Sequence, residues 1–197
     1  MRARLILRLL FPPLALLSGC LTVGQYGFSF DYGTGEVQRL YHDLRSRQGA
    51  DEKDYSVQKD WDGLKQLVQE TKPEYDPDVV QDVSKTLFQE KDVLSGAKTQ
   101  KVRCPKCFPS KTAVLTFLHD EGWRFETLNE EVFLFVPKDK TVVSSNGRII
   151  KTANNALIVW PGDATKFEYV VADSSAGGEP LLPFYRREHE EAKPAAK

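Results

Sequence analysis

Between Gly122 and Val171 the apolar residues recur with a period of two, in runs too short for helices and separated by turn-forming pairs. Such alternation fits strands with one buried face, so the second half of the chain must be built mainly from sheet. Trp123, Phe125 and Thr127 alternate, as do Val132, Leu134 and Val136 against Phe133 and Phe135. Asn129-Glu130, Lys138-Asp139, Asn146-Gly147 and Asn154-Asn155 punctuate the runs, and Asn-Gly is the strongest short-range hairpin signal. Ala156 to Trp160 is continuously apolar and stops at Pro161-Gly162, and Phe167 to Val171 reads as the last strand. The result is a β-meander of about six strands, with Phe133, Phe135, Ile158 and Trp160 forming much of its core.

The first half mixes elements. Phe28, Phe30 and Tyr32 alternate before Gly33-Thr34-Gly35, and Leu40, His42 and Leu44 share a face after it, which reads as a hairpin with one buried side. The glycine triplet has neither the lysine nor the spacing of a phosphate-binding loop and reads as a turn. Gln48 to Tyr55 is a polar loop; Ser56 then caps a helix whose stripe is Val57, Trp61, Leu64 and Val68 and which ends before Pro73. Asp60 and Asp62 lack the further ligands of a calcium loop and read as a solvated face. Asp76-Pro77-Asp78 reads as a second helix start, with Val79, Val80 and Val83 inward. That segment changes through Thr86 to Phe88 into a strand that turns at Lys91-Asp92 and returns to Val102; a helix continued to Phe88 is the alternative. Ser110 caps a third helix, with Val114, Leu115 and Leu118 inward, Gly122 as its left-handed stop, and His119 near the end where the dipole favours a proton. The class is therefore α+β, an antiparallel sheet with an N-terminal hairpin and roughly two or three short helices packed on it.

Ahead of this domain, Arg2, Arg4 and Arg8 precede an apolar run from Leu9 to Leu17 that ends in Leu17-Ser18-Gly19-Cys20. The run is shorter than the roughly 18 to 20 residues needed to span a bilayer, and Pro12-Pro13 interrupts it. The tetrapeptide resembles the lipobox of bacterial lipoproteins. That resemblance implies cleavage before Cys20 by signal peptidase II, with Leu17, Ser18 and Gly19 as its recognition residues, and attachment of fatty acyl chains, palmitate among them, to Cys20. Two acyl chains hold a protein at a membrane almost permanently. Leu21 resembles the export-permissive residue of enterobacterial lipoproteins, which places the expected anchor in the outer membrane in preference to the inner one, facing the periplasm or the surface. The expected organisation is a cleaved leader 1–19, a lipidated tether 20–27, one α+β domain 28–171 with a possible subdivision near 104–110, and a flexible, disordered tail 172–197.

Loss of the three leader arginines leaves 24 of the 27 basic residues against all 28 acidic ones. A mildly acidic chain without a basic stripe is a poor nucleic-acid binder, so no nucleic-acid partner is expected. Apart from Cys20, the cysteines are Cys104 and Cys107 in Cys-Pro-Lys-Cys. In an oxidising envelope this pair reads first as a short structural disulfide. A thiol-disulfide active site is the second reading, weakened by Pro109, which separates the sulfurs from the following helix. Half of a zinc site is the third, but His42, His119 and His189 are scattered singly and no metal or other cofactor is expected. In the tail, Leu181, Leu182, Phe184 and Tyr185 form an apolar cluster that either docks back on the sheet, the preferred reading, or serves as a recognition motif for another envelope protein.

No G-x-S-x-G, HExxH or P-loop pattern is present. The expected function is that of a non-catalytic, membrane-anchored envelope lipoprotein acting close to the bilayer as a binding or assembly module with an envelope protein partner. Thiol-disulfide exchange at Cys104 and Cys107 is one alternative, and carriage of a lipid or cell-wall ligand is another.

Overall fold

The computed structural model describes residues 20–49, 52–119, 122–152 and 155–191. Leu17, Ser18 and Gly19 of the lipobox lie outside the described residues, as does Asn154 of the expected Asn154-Asn155 turn.

The chain is α+β, with eleven strands and three α-helices among the described residues. β1 (Cys20–Asp31) and β2 (Glu36–Arg47) form the expected hairpin. Its turn is built by Asp31, whose carboxylate accepts from the backbone N–H groups of Gly33 and Thr34 at 2.8 and 3.0 Å. Gly35 has φ 80°, and a Cβ there would fall 2.1 Å from the Val102 carbonyl oxygen, so only glycine lets the turn approach the neighbouring strand. The inward face of β2 is Val37, Arg39 and Tyr41 and then, past Asp43, Leu44; of the expected Leu40, His42 and Leu44 only Leu44 is in the core, and Leu40 is on the outer face and exposed. Asp43 has φ 60° opposite Gly24, and the parity of inward residues switches there, from Tyr41 to Leu44 in β2 and from Val23 to Tyr26 in β1. The expected tether 20–27 is consequently strand. Pairing continues to Cys20 opposite Arg47, Leu21 and Val23 pack into an apolar cluster, and the Thr22 hydroxyl donates to the Gly177 carbonyl at 2.7 Å.

α1 (Val57–Gln69) follows as expected and buries Trp61 and Leu64. Asp60 is not on a solvated face: it is buried and its carboxylate accepts from the Ser46 hydroxyl at 2.5 Å, pinning the helix to β2. The helix expected from Asp76 is replaced by one turn, closed by the Asp76 carbonyl on the N–H groups of Val79 and Val80, and then by β3 (Val80–Glu90). β3 pairs with β4 (Val93–Val102) from Val80 to Glu90 as the outermost strand of its sheet, and this long-range pairing prevails over a helix with so narrow an apolar stripe. A bulge between Asp82 and Ser84 turns Val83 outward, so it is exposed and does not face the core. A 3-10 turn, Pro105–Cys107, leads into α2 (Lys111–Phe117), whose N-cap Ser110 accepts from the Ala113 N–H at 3.1 Å.

The next six strands are β5 (Arg124–Leu128), β6 (Glu131–Val136), β7 (Lys140–Ser145), β8 (Arg148–Lys151), β9 (Ala156–Trp160) and β10 (Lys166–Asp173). They do not form one meander. β7 and β10 join the hairpin in a sheet ordered β3-β4-β2-β1-β10-β7, while β5, β6, β9 and β8 form a second sheet in that order. Asn146-Gly147 is the crossing point between sheets and not a hairpin turn. The Asn146 side-chain oxygen accepts from the Trp160 indole N–H at 2.7 Å and from the Glu168 backbone N–H at 2.9 Å, one strand in each sheet. Phe133 and Phe135 lie on the outer face of β6, and Val132, Leu134 and Val136 point inward to Ile158 and Trp160.

Through Glu191 the expected flexible tail is ordered instead: β10 extends to Asp173, β11 (Glu179–Pro180) pairs with β2, and α3 (Leu182–Glu191) follows, and 192–197 lie outside the described residues. Leu181 and Leu182 are buried against Leu44, Trp61, Leu64 and Leu94, with Phe184 and Tyr185 packed half-buried at the edge, so the cluster docks back on the fold. Its four apolar residues complete the cover of α1, which outweighs the ordering cost that the polar flanks suggest. Among the described residues no helix is long and apolar enough to cross a membrane.

Two hydrophobic clusters thus share one face of the large sheet. The larger is capped by α2 and the second sheet, the smaller by α1 and α3.

Candidate functional site

Between the two clusters the sheet face is left uncovered, and a cleft of roughly 290 Å³ opens there. Its floor is Tyr26, Arg39 and Tyr41, which the β1–β2 register places side by side: Tyr26 opposite Tyr41 and Phe28 opposite Arg39. Tyr75, Leu118, His119 and Trp123 form one wall, and Leu21, Thr22, Val23, Lys140, Val171 and Asp173 close the other sides.

Arg39 is 6% exposed. Its guanidinium sits 5.8 Å from the centroid of the Phe28 ring and donates to the Gln100 side-chain oxygen and to the carbonyl of Leu118 at the end of α2. Gln100 passes the contact on, donating to Asp82 at 2.6 Å. Among the described residues no carboxylate lies within ion-pair distance of Arg39. Burial opposes its charge, but the surrounding Tyr26, Tyr41 and Tyr75 and the Glu74 carboxylate outweigh that and hold its pKa above the ordinary value, so the cleft carries a fixed positive charge.

His119 supplies no second charge. Nδ1 contacts the Leu115 carbonyl oxygen at 2.6 Å, and an oxygen that can only accept requires the hydrogen on Nδ1. Nε2 then accepts from the Tyr169 hydroxyl at 2.6 Å. One ring edge opens on the cleft, but most of the imidazole is packed among Phe28, Phe125 and Trp123, at 4.3, 4.8 and 5.5 Å between ring centroids. That burial pushes its pKa down to about 3, against the pull of the Leu115 carbonyl and with the help of the Arg39 charge. The expectation of a proton stabilised by the helix end is reversed, because desolvation exceeds the dipole effect. Burial likewise holds the Tyr169 phenol well above its ordinary pKa. At the rim the charges are paired, Lys140 with Asp173 at 2.5 Å and Lys98 with Glu74. What the cleft offers is charge complementarity, hydroxyls and ring faces.

Comparison with known protein families, curated proteins and solved structures returns no match.

Cys104 and Cys107 are joined in a disulfide across the exposed 3-10 turn, and neither lines the cleft. Cys20 begins β1, and the residues directly after it, Leu21 to Val23, line the cleft. A second polar cluster combines His42, Glu90 and Ser95, but Glu90 and Ser95 both approach the same ring nitrogen, Nδ1, at 3.2 and 3.1 Å, and Ser95 is fully buried. A hydroxyl is activated when the acid and the serine hold different ring nitrogens, so this cluster braces β2 against β4. The sequence reading missed Arg39 because counting apolar residues favoured the opposite face of β2. The available signal was the pair Val37 and Tyr41, which brackets Arg39 at strand spacing on one face.

Proposed function

We propose that this chain is a non-catalytic lipoprotein of the bacterial envelope, anchored through Cys20 to a membrane, the outer one by preference, whose domain binds its partner molecule in the Arg39 cleft. The observation that carries the reading is a buried guanidinium lining an open cleft, with no carboxylate at ion-pair distance among the described residues. Withdrawing a cation from water costs several kcal/mol unless an opposite charge compensates. Glu74 and the tyrosines favour the charge without pairing with it, and a ligand that brings an anion into contact with the guanidinium completes the arrangement. The lipobox-like leader and the start of the folded strand at Cys20 support a membrane-proximal task.

The test combines anchoring and capture in cells. Palmitate labelling should mark the wild-type protein and be lost in Cys20→Ala. A photo-reactive side chain in place of Tyr75, in the cleft wall, should give defined adducts in the membrane fraction, while the same group at exposed Leu128 on the second sheet should not. An unlabelled protein in the soluble fraction, or equal capture from both positions, contradicts the proposal.

A further inference from the structure

The cleft also has a chemical preference and a place relative to the bilayer. A guanidinium has five N–H donors, and the bonds to Gln100 and Leu118 use two, so Arg39 keeps donors for an incoming anion. It is the cation at the floor; of the carboxylates lining the cleft, Glu74 is held by Lys98 and Asp173 by Lys140, which also meets Asp139, and His119 is neutral. One fixed charge in a poorly solvated site matches one negative charge; a doubly charged phosphate would leave an excess buried there. Leu21, Thr22 and Val23 line the cleft, and at about 3.4 Å per residue the farthest of them is within roughly 10 Å of Cys20 along the strand. Tyr26, Tyr41 and Trp123 are the residue types that favour the water boundary of a bilayer. The volume is at the small end of ligand pockets, suited to a head group while the acyl chains stay in the membrane.

From this we infer that the Arg39 cleft receives the singly charged phosphodiester head of a lipid from the membrane to which the chain is anchored. The inference rests on the anchored-module reading above and adds the ligand class to it. Phosphodiester oxygens accept from Arg39, and the tyrosine and tryptophan rings flank the polar remainder of the head.

Native mass spectrometry of the full-length protein, taken from membranes in neutral detergent, tests this. The protein is offered equimolar short-chain phosphatidylglycerol and the matching diacylglycerol, which lacks the phosphodiester, and separately the water-soluble head, glycerophosphoglycerol. Phosphatidylglycerol adducts should exceed diacylglycerol adducts about tenfold, as one charge-assisted hydrogen bond to the phosphodiester implies. The preference should vanish in Arg39→Gln and survive in Arg39→Lys. Equal adducts of the two lipids in the wild type overturn the inference without relying on any variant. The soluble head binding as tightly as the lipid overturns the membrane source. Neutral adducts captured at position 75 in cells would end this inference and leave the anchored-module reading standing, whereas a protein without palmitate in the soluble fraction would end both.

Discussion

Tyr26 and Tyr41 face each other across the β1–β2 pair with ring centroids 5.6 Å apart, and each borders a different hydrophobic cluster. The seam between the clusters therefore runs along this pair, and Arg39 lies beside it on the same face. A sheet wide enough to carry two separate covers leaves a gap between them, and that gap is the cleft.

If Arg39 at this seam serves binding and not folding, its removal together with its polar partner should be tolerated. Replacing a buried ion and its polar partner by apolar residues is often neutral for stability. Both variants strand the Leu118 carbonyl, but Arg39→Met alone also strands the Gln100 oxygen, so it should cost about 1 to 3 kcal/mol, and the double variant Arg39→Met, Gln100→Leu, in which Asp82 keeps Lys85 and Lys98, should cost no more than that. Urea denaturation of both variants checks this; a double variant less stable than the single one would make Arg39 a structural residue.

His119 gives the fold an acid limit. Its folded pKa of about 3 lies below the ordinary 6.5, so below pH 6.5 the unfolded chain binds the extra proton and stability falls, until the folded ring also protonates near pH 3. Between about pH 7 and about pH 5 the loss should be on the order of 2 kcal/mol. Denaturation at the two pH values should show a clearly smaller loss in His119→Gln, and an equal loss would place the acid sensitivity elsewhere.

Gly147 holds the crossing between sheets. A Cβ there would meet Ile158 Cγ2 and Trp160 Nε1, each at 2.8 Å. Gly147→Ala should destabilise by about 1 to 3 kcal/mol through overpacking, read as a lower thermal midpoint with shifted Trp160 fluorescence. An unchanged midpoint would mean that the two sheets separate easily at this corner.

The C-terminal helix is part of the core. Leu181 is fully buried, and Glu188 accepts from the Trp61 indole N–H at 2.9 Å and from Lys65 at 2.6 Å. Leu181→Ala should cost about 2 to 5 kcal/mol and expose α3 to proteolysis. A variant as stable and as protease-resistant as the wild type would restore the flexible-tail expectation.

Local signals carried much of this fold. Trp61 and Leu64 at helical spacing gave α1, Ser110 gave the start of α2, and the Asp31 turn joined β1 to β2 as the glycine triplet implied. What failed needed long-range information. Val79 to Phe88 suits a helix or a strand on local grounds, and only β4 decides between them. Asn146-Gly147 carries a strong turn signal, but which sheet each flanking strand joins depends on Trp160 and Glu168, distant in sequence. The tail from Asp173 looks too polar to fold until Leu181 and Leu182 meet α1. The cleft was the least legible part, because its central residue is a charge on an inward face and its walls come from α2, the Trp123 segment and the β7–β10 pair.

A crystal structure of the full-length protein, taken from membranes in neutral detergent without refolding, tests the central claim most directly. The account predicts density for an anionic group within about 3 Å of the Arg39 guanidinium nitrogens, flanked by Tyr41 and Trp123. A cleft closed over Arg39 by a carboxylate of the chain itself would contradict it.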